Sequence, residues 1–286
     1  MEPCLNEPTS RKAFAALLML GAALAACAMD ASAKLLTRSL PVSEVAFLRY
    51  AVALALLAPW VVLRFDRQRF GPLRWQWARA GFLVADTFLY FKALAQAPFA
   101  DVVALFNIAP LVVALSSTLV LKERVAPPVL VAALLGFVGV VWIVRPDLRI
   151  GVGHAYALAA GALYGLYLIG TRRLASAAAD AVLTQAFTLA VGTVAAAIAT
   201  FPAASLPRDG QDWAVLLMMG ACGLAAHMLL TVALKHAPAA VLAPLTYVEV
   251  LLAPVVGLFG FGEAPSVGVL LGMGLIVAGG IMTMRR

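Results

Sequence analysis

Charge is what this sequence has least of: 12% of its 286 residues are Asp, Glu, Lys or Arg, where a soluble domain carries about a quarter. Cysteine is scarce as well. Cys4, Cys27 and Cys222 form an odd, widely spaced set, which gives no disulfide framework. The three histidines, His154, His227 and His236, stand in no metal-ligand spacing and no nucleophile motif accompanies them, so neither a metal site nor a catalytic group is expected. A net charge of +7 would suit nucleic acid, but the Lys and Arg residues form no basic patch with interleaved aromatics. They sit instead where apolar runs stop.

Those runs dominate the chain, which is 64% hydrophobic with a mean hydropathy of +0.98. Residues 102–121, 125–144, 150–171, 181–207, 213–234 and 264–284 carry no charge, and each is about as long as a helix needs to be to cross roughly 30 Å of hydrocarbon. The apolar stretches are continuous rather than alternating, which points to helices and not to barrel strands. Less uniform segments complete an all-α membrane fold of ten expected helices near 13–36, 43–64, 75–97, 99–121, 126–145, 152–173, 181–201, 213–235, 239–261 and 265–284. All five tryptophans, Trp60, Trp75, Trp77, Trp142 and Trp213, fall near the ends of these helices, as an interfacial belt requires.

Orientation follows from the basic residues. With an internal N-terminus, thirteen Lys and Arg residues lie on cytoplasmic segments and six, Lys34, Arg38, Lys92, Arg145, Arg149 and Arg208, lie outside. Positive charge favours the cytoplasmic side, so both termini are expected there, in a multi-pass inner-membrane protein. Arg11-Lys12, an apolar run and then Leu24-Ala25-Ala26-Cys27 imitate a lipoprotein signal. Cleavage there would delete a segment that has a counterpart later in the chain, so the run is read as the first helix.

That counterpart is visible as a repeat. ALAQAP at 93–98 returns as ALKHAP at 233–238, and the same offset of 140 pairs Pro98 with Pro238 and Glu123 with Glu263. One period holds five helices. Because five is odd, the second copy enters the membrane upside down, and two inverted repeats, 1–145 and 146–286, are expected. Inverted repeats are a recurrent device of secondary transporters, which expose a midplane site alternately to either side.

The residues Tyr90-Phe91-Lys92-Ala93-Leu94, Ala97-Pro98, Pro110 and Lys122-Glu123-Arg124 together resemble the drug/metabolite transporter superfamily in its ten-helix EamA branch, and Arg49 and Glu263 extend the likeness over nearly the whole chain. Within that branch, size and the text of helices 3 and 4 are most similar to the bacterial YddG-type exporters of aromatic amino acids. The resemblance implies a carrier of small organic molecules, with no cofactor. Val250 departs from it, standing where Pro110 has its repeat position, between Pro244 and Pro254.

Polar groups near the bilayer midplane are costly and mark a pathway. Helix 3 carries Arg79, Asp86 and Tyr90 on one face, and helix 8, its repeat partner, carries His227 and Thr231 four apart. Asn107 precedes Pro110, and Thr246, Tyr247 and Glu249 lie between Pro244 and Pro254; proline-interrupted spans at corresponding places point to a binding site. Tyr164 is preferred among the helix 6 stripe of Tyr156, Tyr164 and Tyr167. These residues are the expected solute contacts. Asp30 and Lys34, four apart, read as a helical pair with Arg49 nearby, and Pro110, Glu123, Pro244, Pro254 and Glu263 read as structural or gating positions. Asp86, Glu249 and His227 are candidates for proton coupling. The expected partner is an amino acid or similar amphipathic metabolite, exported by alternating access through the lipid bilayer. A drug or nucleotide-sugar carrier and an intramembrane enzyme are the competing readings.

Overall fold

A computed structural model describes residues 8–122, 127–143, 151–201 and 209–284. Among these there is no β-strand. Helices α1 (Pro8–Leu36), α2 (Val42–Arg64) and α3 (Leu73–Gln96) follow one another through short connections. The next span is broken: α4 (Phe99–Phe106) gives way at Asn107 and Ile108 to α5 (Ala109–Ser116) and a π turn over Ser117–Leu121. Helices α6 (Pro127–Ile143), α7 (Val152–Ser176), α8 (Ala181–Thr200) and α9 (Gly210–His236) are continuous. A second broken span then runs from α10 (Ala239–Leu242) through a 3₁₀ turn, Ala243–Thr246, into α11 (Tyr247–Phe261), and α12 (Val267–Met284) ends the series.

Six of these segments, Arg11–Leu36, Val42–Arg64, Phe99–Leu121, Val152–Ser176, Ala181–Thr200 and Gly210–His236, are long and apolar enough to cross a membrane, and Tyr247–Phe261 and Val267–Gly279 are shorter apolar helices. Helix α3 stands apart because Arg74, Arg79, Asp86 and Lys92 lie along it, and it buries Arg79 and Asp86 against its neighbours. Outward-facing side chains are greasy: Leu119, Phe259 and Leu63 are 81, 83 and 82% exposed. In water such a surface would be a liability; against lipid it is the expected one.

The repeat is written into the backbone. Both copies of the frame end a helix in the same way, with Ala97 at φ −138°, ψ 159° and Ala237 at φ −147°, ψ 157°, each amide bonded back to the carbonyl of Ala93 or Ala233. The alanine before a proline is forced out of the helical region, so each Ala-Pro ends one helix and starts the next. At the far ends of the broken spans, Lys122 and Gly262, 140 residues apart, both turn left-handed, at φ 56° and 69°, the usual way to stop a helix.

Packing obeys the same relation. The longest helix contacts are α1 with α9, α3 with α7, α2 with α8 and α6 with α12, while α4 meets α11. Exchanging the first five spans for the last five turns α1–α9 into α7–α3 and returns each of the other pairs to itself. Small residues allow the closest approaches. On α7, Gly161 lies against the carbonyl of Phe106 with no room for a Cβ, and Gly165 four residues on lies against Val112, so the break in the first divided span is fitted onto a glycine face. Cys27 lies buried within α1, on the helix that packs along α9.

Candidate functional site

Two arginines, neither paired with a carboxylate among the described residues, organise the interior. Arg79 on α3 is fully buried, and each of its five N–H groups has a neutral acceptor. Nε donates to Thr171 Oγ1 at 2.9 Å. Nη1 donates to the Thr184 carbonyl at 3.2 Å and to Thr188 Oγ1. Nη2 donates to Tyr167 Oη and to Gln185 Oε1, both at 2.8 Å. The guanidinium also lies over the Tyr167 ring, 4.6 Å from its centroid. A buried cation is costly unless fully bonded; here α7 and α8 supply the whole set.

From this cage a chain of hydrogen bonds leads inward. Tyr167 Oη lies 3.0 Å from His227 Nδ1 on α9, and His227 Nε2 lies 2.8 Å from Arg49 Nη2 on α2. Arginine only donates, so Nε2 accepts, and the proton of the neutral imidazole lies on Nδ1, facing Tyr167. Arg49 Nη1 donates to Thr87 Oγ1 at 3.0 Å and Nε contacts Met29 Sδ at 3.3 Å. Thr87 shares a 2.7 Å bond with Tyr50 Oη, which donates to the Leu83 carbonyl.

Beyond Arg49 lies a central cavity. Its walls come from α1, α2, α3, α7, α9, the end of α4, the 3₁₀ turn and the start of α11, and include Asp30, Arg49, Asp86, Tyr90, Phe106, Tyr164, His227, Thr246 and Glu249. Phe106 lies between the rings of Tyr90 at 4.6 Å and Tyr164 at 4.9 Å. Tyr90 Oη donates to Asp30 Oδ2 at 2.8 Å. Asp30 Oδ1 and Asp86 Oδ1 are buried without a hydrogen-bond partner among the described residues. The cavity wall therefore carries three carboxyl groups and one guanidinium.

Six of the residues expected from sequence to meet a solute, Asp86, Tyr90, Tyr164, His227, Thr246 and Glu249, are brought together on that wall. Three stand behind it. Asn107 bonds its own helix through the Val103 carbonyl and accepts from Thr246 Oγ1 at 3.0 Å, tying one broken span to the other. Thr231 donates back to the His227 carbonyl at 2.6 Å. Tyr247 is buried with its hydroxyl against Gly136, where a Cβ would collide.

The expected pairing of Asp30 with Lys34 does not form. Lys34 lies one turn further along α1 and reaches Glu263 instead, at 2.8 Å, while Asp30 faces the cavity with Arg49. Lys34 Nζ also donates to the Ala97 carbonyl at 2.9 Å, and Glu263 Oε2 accepts from the Phe99 amide at 2.7 Å. One ion pair thus clamps the end of α1, the Ala-Pro frame and the end of α11. Pro110 sits in the first turn of α5, where a missing N–H costs nothing; Pro244 falls in the 3₁₀ turn and Pro254 inside α11. His154 Nε2 lies 3.4 Å from Asp101 Oδ2. Glu123 lies outside the described residues. Sequence reasoning missed Thr87, Thr171, Thr184, Gln185 and Thr188; the last three form a polar cluster in the first half of α8, a signal that a buried cation is nearby.

Comparison with known proteins gives a consistent result. The riboflavin transporter of Brucella anthropi is 26% identical over 92% of this chain and 97% of its own. The pseudopaline exporter CntI of Pseudomonas aeruginosa is 27% identical over 89% and 87%, and the threonine/homoserine exporter RhtA of Escherichia coli 29% over 82% and 79%. One solved structure superposes with a TM-score of 0.69 at 23% identity, covering 96% of this chain and 95% of its own, a likeness of fold. The EamA-like transporter family matches twice, over residues 13–145 and 151–285. With both halves matched and apolar helices throughout, the chain is a multi-pass membrane protein that belongs to the EamA-like transporter family.

Proposed function

We propose that the chain exports amino acids, aromatic or large neutral ones, across the inner membrane by alternating access, and that the central cavity is the solute site. The observation that carries this reading is a cavity lined by aromatic rings and by carboxyl oxygens without partners, enclosed by helices whose pairing is unchanged when the two halves are exchanged. Ten spans with both termini cytoplasmic would make the halves, 1–145 and 146–286, inverted repeats, so that rocking one half against the other opens the cavity to either side. Amino acid export fits the YddG-type aromatic exporters that the helix 3 and 4 text resembles, and threonine and homoserine are solutes of one relative.

In this reading Asp86, Tyr90, Tyr164, His227, Thr246 and Glu249 meet the solute. Asn107 and Thr246 couple the two broken spans, and Lys34 with Glu263 closes the outer end. Proton coupling would run through Asp86 and Glu249, because adding a proton to His227 Nε2 would set it against the Arg49 N–H that it now accepts. Counterflow in proteoliposomes tests the proposal. Labelled L-phenylalanine and L-threonine should be concentrated by vesicles preloaded with unlabelled solute, whereas uptake of riboflavin alone would overturn the amino acid reading. Flux indifferent to an imposed pH gradient would remove the protons.

A further inference from the structure

The strongest unexplained feature is an imbalance of charge and hydrogen bonding in the cavity wall. Asp30, Asp86 and Glu249 face it together with one guanidinium, that of Arg49. Asp30 and Asp86 are 4 and 5% exposed, and each leaves Oδ1 without a partner among the described residues. No described residue forms a hydrogen bond with the Glu249 side chain, itself 7% exposed. Arg49 does not serve them: three of its donors are taken by Met29, Thr87 and His227. His227 cannot supply charge either, since its Nε2 lone pair is directed at Arg49. A folded protein rarely leaves such acceptors empty, because each costs about 1–3 kcal/mol or more.

We infer that these three carboxyl groups form the receptor for a protonated amine, so that Asp30, on α1, is a solute-binding residue and the carried molecules are organic ammonium compounds. The inference rests on the reading of the cavity as the solute site. An ammonium group has three donors and no acceptor, and the unpartnered oxygens of Asp30 and Asp86, with Glu249, offer acceptors from three different helices. Among the described residues no three acidic, histidine or cysteine side chains are grouped to hold a metal ion, so the spacing favours a larger organic cation. Tyr90, Phe106 and Tyr164 line the same cavity, and aromatic rings attract ammonium groups and stack on aromatic side chains. The hydroxyl of Tyr90 holds Asp30 by Oδ2, which leaves Oδ1 for the solute. Arg49 keeps two N–H donors beyond those bonded to Met29, Thr87 and His227, enough to receive a solute carboxylate. A phosphate or a second carboxylate would face the acidic wall unpaired.

Three probes of one size separate the groups. Phenethylamine carries the amine without the carboxylate, 3-phenylpropionate the reverse, and L-phenylalanine both. Phenethylamine and L-phenylalanine should raise the melting temperature of the purified full chain, and 3-phenylpropionate should not. Asp30→Asn and Asp86→Asn should each weaken the apparent affinity for phenethylamine at least tenfold. Stabilisation by 3-phenylpropionate equal to that by phenethylamine, or no effect of phenethylamine on the wild-type chain, would overturn the inference, and this comparison holds even if a variant fails to fold. Unchanged phenethylamine affinity in both folded variants would overturn it as well. If phenethylamine stabilises but no amino acid undergoes counterflow, the amine receptor stands and the amino acid reading falls.

Discussion

Arg79 and Arg49 are both buried, neither has an ion-pair partner among the described residues, and they differ in what surrounds them. Arg79 spends all five donors on neutral oxygens of α7 and α8. Arg49 bonds Thr87 and His227 and then borders a cavity in which carboxyl oxygens stand empty. The two are joined through Tyr167 and His227, so one region is a closed structural knot and the other its open end. Charge in the membrane interior is therefore not one signal. A satisfied charge holds helices together, and an acceptor left unsatisfied among the described residues is, in the proposed reading, a place for a solute.

Replacing Arg79 should have the largest effect on stability. Arg79→Met removes the donor that Thr171, Thr188 and Gln185 each accept from, a loss of about 3 kcal/mol from several groups at about 1 kcal/mol or more each. Arg79→Lys should recover only part of it, because a point charge with three donors cannot match a five-donor fork. Thermal unfolding in detergent reads both; a wild-type melting temperature for Arg79→Met would erase the distinction between the two arginines.

Asp86→Asn should do the opposite. Melting should stay level or rise, since a carboxyl group with an unpartnered oxygen is replaced by a neutral amide, while counterflow should fall at least tenfold. Loss of folding and transport together would place Asp86 with Arg79 as a structural residue.

The clamp comes next in size. Lys34→Met should cost about 2 kcal/mol, below the 3–5 kcal/mol of a fully buried pair, because the Glu263 side chain keeps 29% exposure. A double-mutant cycle with Glu263→Gln should show a coupling of about 1 kcal/mol; additive effects would mean that the pair fastens nothing. Thr231→Val should matter least. Its hydroxyl only returns to the His227 carbonyl on its own helix, so both melting, within about 0.5 kcal/mol, and transport should be unchanged.

Much of the helical frame was legible because it depends on local features. Apolar run length located the helices, and the expected span 239–261 is bounded by Ala239 and Phe261 in the structure. The repeated Ala-Pro announced two matching helix ends, since proline restricts the residue before it. Val250 departs from the proline pattern, and the break in this span lies in the 3₁₀ turn at Ala243–Thr246. Pairing of charges was not legible. Four-residue spacing suggested Asp30 with Lys34, yet Lys34 finds Glu263, 229 residues away, and no local rule encodes which helices a fold makes neighbours. Tyr164 and Tyr167 share a helical stripe, but only packing puts Tyr164 on the cavity and Tyr167 in the Arg79 cage. The missed Thr184, Gln185 and Thr188 were readable in principle as a polar cluster answering Arg79.

The central claim, that a solute fills the space beside Arg49, is tested most directly by a reporter inside it. Ala226 lines the cavity beside His227. In a chain with Cys4, Cys27 and Cys222 replaced by alanine, Ala226→Cys should be alkylated by a small thiol reagent, and saturating phenethylamine or L-phenylalanine should slow that reaction at least tenfold. Ser176→Cys, on the exposed end of α7, should react at the same rate with or without either solute. Alkylation of Ala226→Cys that proceeds unchanged in the presence of solutes that still stabilise the protein would place the binding site elsewhere and contradict the account.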